Sequence, residues 1–98
     1  MSEPRLVHNP RLAWRAIDGE VVIISPEESV VHELNATASF IWLHANGERT
    51  PQEIAELLAA EYDVTPEEAL TDTRTLVAQL EAKRLLRFTP LAEGNENA

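Results

Sequence analysis

Cysteine is absent from the 98 residues, which excludes disulfides, thiolate nucleophiles and cysteine-ligated zinc or iron–sulfur centres. Three histidines remain, His8, His32 and His44, scattered over the start of the chain, a strand-like stretch and a helix-like stretch. None stands at metal-ligand spacing from another histidine or a glutamate. Glu27-Glu28 and Glu67-Glu68 are paired carboxylates. General acid–base work on a glycosidic bond needs two carboxyls facing each other across a cleft, and a domain this small has little room for one. They read instead as turn and helix-start chemistry. Three glycines do not make a phosphate loop, and no Ser/His/Asp constellation can be argued. The expectation is a protein without catalytic residues, metal or cofactor, whose chemistry is recognition.

Composition narrows the partner. The length suits one domain, and the apolar share of 44% supports a real core. Seventeen acidic residues oppose eight basic ones, a net charge of −9. Phosphate backbones repel such a surface, whereas a basic partner gains from it. The start of the chain has no apolar core of a signal peptide, and no run approaches 18 apolar residues. A cytoplasmic protein with no membrane or nucleic-acid partner is expected.

The elements that must carry recognition can be placed by pattern. Residues 1–10 hold two prolines and little periodicity and read as a mobile arm. Residues 89–98 read as a disordered tail. Asp18-Gly19 between two apolar runs predicts a hairpin with a type I′ turn, in which Ala16 pairs with Val21 and Trp14 with Ile23 on one core-facing side. After Ser25-Pro26-Glu27-Glu28 a third strand follows, with Val30, His32 and Leu34 pointing one way and Val31 and Glu33 the other.

From Asn35 the period becomes helical. Asn35 caps a short helix whose Ala38, Ile41, Trp42 and Ala45 share a face, and Asn46-Gly47 ends it. Thr50-Pro51-Gln52-Glu53 and Thr65-Pro66-Glu67-Glu68 read as capping boxes of two further helices. The last helix turns Leu70, Thr73, Leu76, Val77 and Leu80 inward. Glu67 and Glu68 sit at its positive end, and Lys83 and Arg84 at its negative end. Leu85–Phe88 closes the domain as an extended segment. Three strands then three helices make an α+β domain, helices packed on one face of an antiparallel sheet.

Several of these residues, taken in order, resemble the PqqD-like family of peptide chaperones, also called RiPP recognition elements. They are Ile24-Ser25-Pro26-Glu27, Leu34-Asn35 with Ala38 and Ile41, Asn46-Gly47-Glu48-Arg49-Thr50 leading to Ile54, then Tyr62, Asp72, and Leu80 to Leu86 with Lys83. The match spans about residues 10–88, and its specificity lies in the joint order and spacing. In detail the chain departs from the quinone-pathway members: the alternation around Trp14, and Trp42 in place of a smaller residue, fit a broader PqqD-like group better.

The resemblance implies a winged-helix-like domain over residues 11–88. It implies binding of the leader segment of a ribosomally made precursor peptide, presented in trans to a modifying enzyme such as a radical-SAM protein. It further implies that the leader adds as a strand beside Val30, Val31, His32, Glu33 and Leu34 and lies over Asp72, Thr73, Leu76, Leu80, Lys83 and Arg84. An exposed sheet edge has unpaired N–H and C=O groups that an extended peptide satisfies.

Two other readings compete. A winged-helix DNA-binding or transcription-associated domain needs base-reading Arg, Lys, Asn or Gln on its recognition helix, and Glu53–Tyr62 has none after Glu53. A homodimer through two free strand edges is the other.

Overall fold

The hairpin expected at Asp18-Gly19 forms, in the expected register. The computed structural model describes residues 4–89; Met1–Glu3 and the tail from residue 90 onward lie outside the described residues. In chain order the elements are β1 (Leu6–His8), β2 (Ala13–Ile17), β3 (Glu20–Ser25), β4 (Val30–Glu33), α1 (Ala36–His44), α2 (Pro51–Tyr62), α3 (Pro66–Ala82) and β5 (Leu86–Phe88). Asp18 and Gly19 both take positive φ, 52° and 82°, as a type I′ turn requires. Trp14 pairs with Ile23 and Ala16 with Val21. A second hairpin joins β3 to β4, with Ile23 opposite His32 and Ser25 opposite Val30. The three strands form one antiparallel sheet in the order β2-β3-β4.

The segment expected to be a mobile arm is part of the fold. Leu6–His8 pairs antiparallel with Leu86–Phe88 in a separate two-stranded sheet. Leu6 is completely buried in the main core. Its backbone is tied on both sides, donating to Arg49 C=O (2.9 Å) and accepting from Gly47 N–H (2.7 Å). Three residues are too few to show a period, so sequence pattern alone misses this strand.

Polar caps start all three helices. Asn35 Oδ1 accepts from Ala38 N–H at 2.8 Å. Thr50 and Glu53 form the full reciprocal box, at 3.2 Å and 3.0 Å. At Thr65 only half of the expected box exists: Thr65 Oγ1 accepts from Glu68 N–H (3.1 Å), with no return bond from Glu68 among the described residues. A core of Leu6, Val21, Ile23, Ile41, Trp42, Ile54, Leu80, Leu85 and Leu86 lies between sheet and helices. Of the hairpin face expected to point inward, Val21 and Ile23 are buried but Ala16 and Trp14 are exposed. β2 overhangs the helical layer, and Trp14 instead meets Trp42 edge-on, ring centroids 5.9 Å apart.

Candidate functional site: an open strand edge beside the last helix

β4 is a free edge. Its inner neighbour is β3, and among the described residues nothing pairs with its other side. Which backbone groups it leaves open follows from register. Leu34 N–H donates to Val21 C=O at 2.9 Å, so Val21 and Leu34 form a hydrogen-bonded pair. In an antiparallel ladder such pairs alternate. Ile23–His32 and Ser25–Val30 are therefore bonded pairs, while Val22–Glu33 and Ile24–Val31 are not. The N–H and C=O groups of Val31 and Glu33 point away from β3, toward whatever lies beside the edge.

The side chains of β4 divide as expected. Val31 (58% exposed) and Glu33 stand on the outer face, where Val31 continues a row with Ala13 and Ile24. His32 and Leu34 are half-buried on the inner face, and Val30 is exposed at the strand start. Leu34 packs against the main core, as do Leu12 and Leu76. His32 Nε2 is buried and has no hydrogen-bond partner among the described residues.

The expected helix residues separate into two groups. Asp72, Lys83 and Arg84 are exposed and Leu76 is half-buried, so all four are within reach of a ligand. Thr73 and Leu80 are buried, at 0% and 4% exposure. They hold α3 onto the core from within, and a strand lying on the surface does not meet their side chains. At one end, Lys83 and Arg84 line a cavity of about 60 Å³ with Asn9, Arg11 and the β3–β4 turn at Ser25–Glu28. Arg11 and Glu27 form an exposed ion pair there, 2.6 Å apart.

Three residues that support the site carry no sequence signal for that role. Ser39 is buried in α1, accepting from Val21 N–H (2.8 Å) and donating to Leu34 C=O (3.2 Å), which pins the end of β4 to the helix layer. Asn9 holds the chain reversal after α3, its amide donating to Arg84 C=O (3.0 Å). His8 stacks on Trp42, centroids 3.8 Å apart, with Trp14 edge-on to it. Burial pushes the His8 pKa below 6.5, against the opposing effect of its bond to Trp42 C=O. None of the described His, Asp and Glu side chains gather into a group able to hold a metal ion.

Among the described residues, two small sheets and three helices, with the β4 edge left open, define an α+β domain. The family model for coenzyme PQQ synthesis protein D (PqqD) matches residues 20–86, and the chain belongs to that family. A PqqA binding protein of Xanthomonas oryzae pv. oryzae (strain PXO99A) is 34% identical over 86 residues, covering 88% of this chain and 91% of that protein. A PqqA binding protein of Rhizobium meliloti (strain 1021) is 32% identical over 84 residues, covering 86% and 84% respectively.

Among solved structures, TbiB1 in complex with the TbiA(beta) leader peptide superposes with a TM-score of 0.77 at 27% identity, over 87% of this chain and 99% of that one. The PqqD truncation of Methylobacterium extorquens PqqCD, a stand-alone RiPP recognition element solved by NMR, shares the fold. Its TM-score is 0.68 at 24% identity, covering 84% of this chain and 87% of that one.

Proposed function

We propose that the chain is a non-catalytic carrier that binds the leader segment of a ribosomally made precursor peptide and presents it to a separate modifying enzyme. The observation that carries this reading is the edge of β4. Val31 and Glu33 offer two outward N–H and C=O pairs, with His32 and Leu34 half-buried on the inner face of the same strand. An extended peptide satisfies those groups and turns alternate side chains toward the inner face of the sheet. The curated relatives are named for binding PqqA, and TbiB1 was solved with a leader peptide, which supports a PqqA-like precursor as cargo. A radical-SAM enzyme is the partner class that the family resemblance favours, and the cytoplasm, where precursor peptides are made, is the compartment it requires. No helix among the described residues is long and apolar enough to cross a membrane.

The test is a titration of isotope-labelled protein with a PqqA-type precursor peptide, followed by amide shifts, beside a duplex DNA control. Shifts gathered over Val30–Leu34 and the exposed side of Asp72–Arg84 with peptide alone are expected. No response to peptide, with salt-sensitive shifts on DNA, would overturn the reading in favour of a DNA-binding domain. Two β4 edges can also pair with each other, so sedimentation with and without peptide distinguishes a leader site from a dimer contact.

A further inference from the structure

The last helix ends with an arginine where glycine is the usual residue. Leu85 N–H donates to Leu80 C=O and Arg84 N–H to Glu81 C=O, both at 2.9 Å. These two bonds close the end of α3 as a Schellman motif. The residue after the cap must then turn left-handed, and Arg84 does so at φ 63°. That conformation disfavours any residue with a Cβ. A strained position points to a task for the side chain it carries.

Arg84 opens onto the cavity of about 60 Å³ bounded by the β3–β4 turn. Three cations line it, Arg11, Lys83 and Arg84, with two carboxylates, Glu27 and Glu28. Arg11 is tied to Glu27. Among the described residues no carboxylate pairs with Lys83 or Arg84. Ser25 forms part of the same wall. It is only 7% exposed, and its hydroxyl bonds to no other described residue. Buried hydroxyls are hydrogen-bonded as a rule, so this donor is available to a ligand. The nearby acceptors that would repel an anion are closed off. The N–H groups of Lys83, Arg84 and Leu85 take up the carbonyls of Gln79, Glu81 and Leu80, and Asn9 donates to Arg84 C=O.

We propose that this cavity is a binding site for a single carboxylate, independent of the open edge of β4. Charge selects the class. Three cations less two carboxylates leave one positive charge, which a monoanion neutralises and a phosphate dianion overshoots. Size agrees with this. A water molecule needs about 10–15 Å³ of such space, so the cavity has room for about four, enough for a carboxylate and its first methylene. Arg84 supplies the planar fork that matches a carboxylate, Lys83 a point charge, and Ser25 a neutral donor. The carboxylate can belong to an acidic side chain or chain end of a peptide, or to a free small acid.

Acetate is the probe. Isotope-labelled protein is titrated with sodium acetate against sodium chloride at constant ionic strength, and the Ser25, Lys83 and Arg84 amides and the Arg84 side-chain Nε–H are followed. Saturable shifts gathered at these groups are expected, with phosphate dianion binding more weakly. Glycine is the favoured residue at position 84, so Arg84→Gly keeps the fold, and its acetate affinity is expected to fall about tenfold. Ser25→Ala is expected to weaken acetate about fivefold. A urea melt checks that both variants are folded. Shifts that never saturate, or that survive Arg84→Gly, overturn the proposal, and tighter binding of phosphate overturns the carboxylate assignment. Titrating the PqqA-type precursor at saturating acetate separates the two sources. Weakened precursor binding assigns the carboxylate to the peptide, and unchanged binding assigns it to a free acid; the site stands in both cases. Failure of the acetate titration leaves the leader reading intact, and failure of the precursor titration in buffer alone leaves this site intact.

Discussion

Ser39 shows how a single side chain fixes the working edge. Its hydroxyl accepts from Val21 N–H and donates to Leu34 C=O from within the core. Ser39→Ala leaves a buried N–H without a partner, which costs about 1–3 kcal/mol; a urea melt should show the loss. Thr73 is the converse case. Its Oγ1 is buried with no partner among the described residues, so Thr73→Val is expected to stabilise by about 1 kcal/mol, read in the same melt. His8 links stability to pH. Because burial lowers its folded-state pKa, the unfolded chain takes up a proton more readily. Its contribution is complete above the unfolded value near 6.5 and is lost as pH falls below it. His8→Phe keeps a ring against Trp42 and removes the titration. The denaturation midpoint of the variant should therefore fall less than that of the wild type between about pH 7 and about pH 5. None of these roles can be read from residue type: a serine inside a short apolar helix or a histidine two residues before a proline acquires its partner only through tertiary packing.

At the scale of elements the sequence was most informative where structure is locally determined. Asp18-Gly19 dictates its turn and therefore the register of β2 on β3. Asn35, Thr50 and Thr65 accept bonds at their helix starts as side-chain chemistry requires. The β1–β5 pair was illegible because each strand has three residues and its partner is some eighty positions away. The inward side of the hairpin was only half legible, since alternation assigns faces but not how far the covering layer extends. Thr73 and Leu80 were expected both to face inward and to meet the peptide, and their burial decides for the first. The alternation of bonded pairs also sharpens one mutational test. Val31 N–H points outward, so Val31→Pro removes a donor from the free edge while leaving the β3–β4 ladder intact. Peptide affinity should fall at least tenfold with the fold preserved, measured by titration calorimetry beside circular dichroism. Unchanged affinity would place the ligand elsewhere. Leu76→Ala should lower stability by about 2 kcal/mol, since Leu76 is only half-buried against the core.

Charge is organised over the whole molecule. The stretch between Arg49 and Arg74 contains seven carboxylates and no lysine or arginine. It comprises α2 and the first half of α3. The helices that would face a duplex in a DNA reader are therefore the most acidic part of the chain. No measurable association with duplex DNA is expected at about 0.15 M salt, with fluorescence anisotropy as the check. This feature was visible in the sequence as a charge run. The basic counterpole was not, because Arg11, Lys83 and Arg84 are brought together only by folding.

The pairing of β1 with β5 reaches further than stability. Thr89 N–H donates to Arg5 C=O at 2.8 Å, so the two ends of the described fold leave it side by side. β5 lies against the flank of α3 that carries Ala78 and Glu81, and β4 belongs to the other sheet. A domain closed in this way is portable. It can be joined in frame to either terminus of an enzyme, or inserted into one of its surface loops, without rearranging the open strand edge. Such a tether turns the meeting of cargo and catalyst from a diffusional encounter into an intramolecular one.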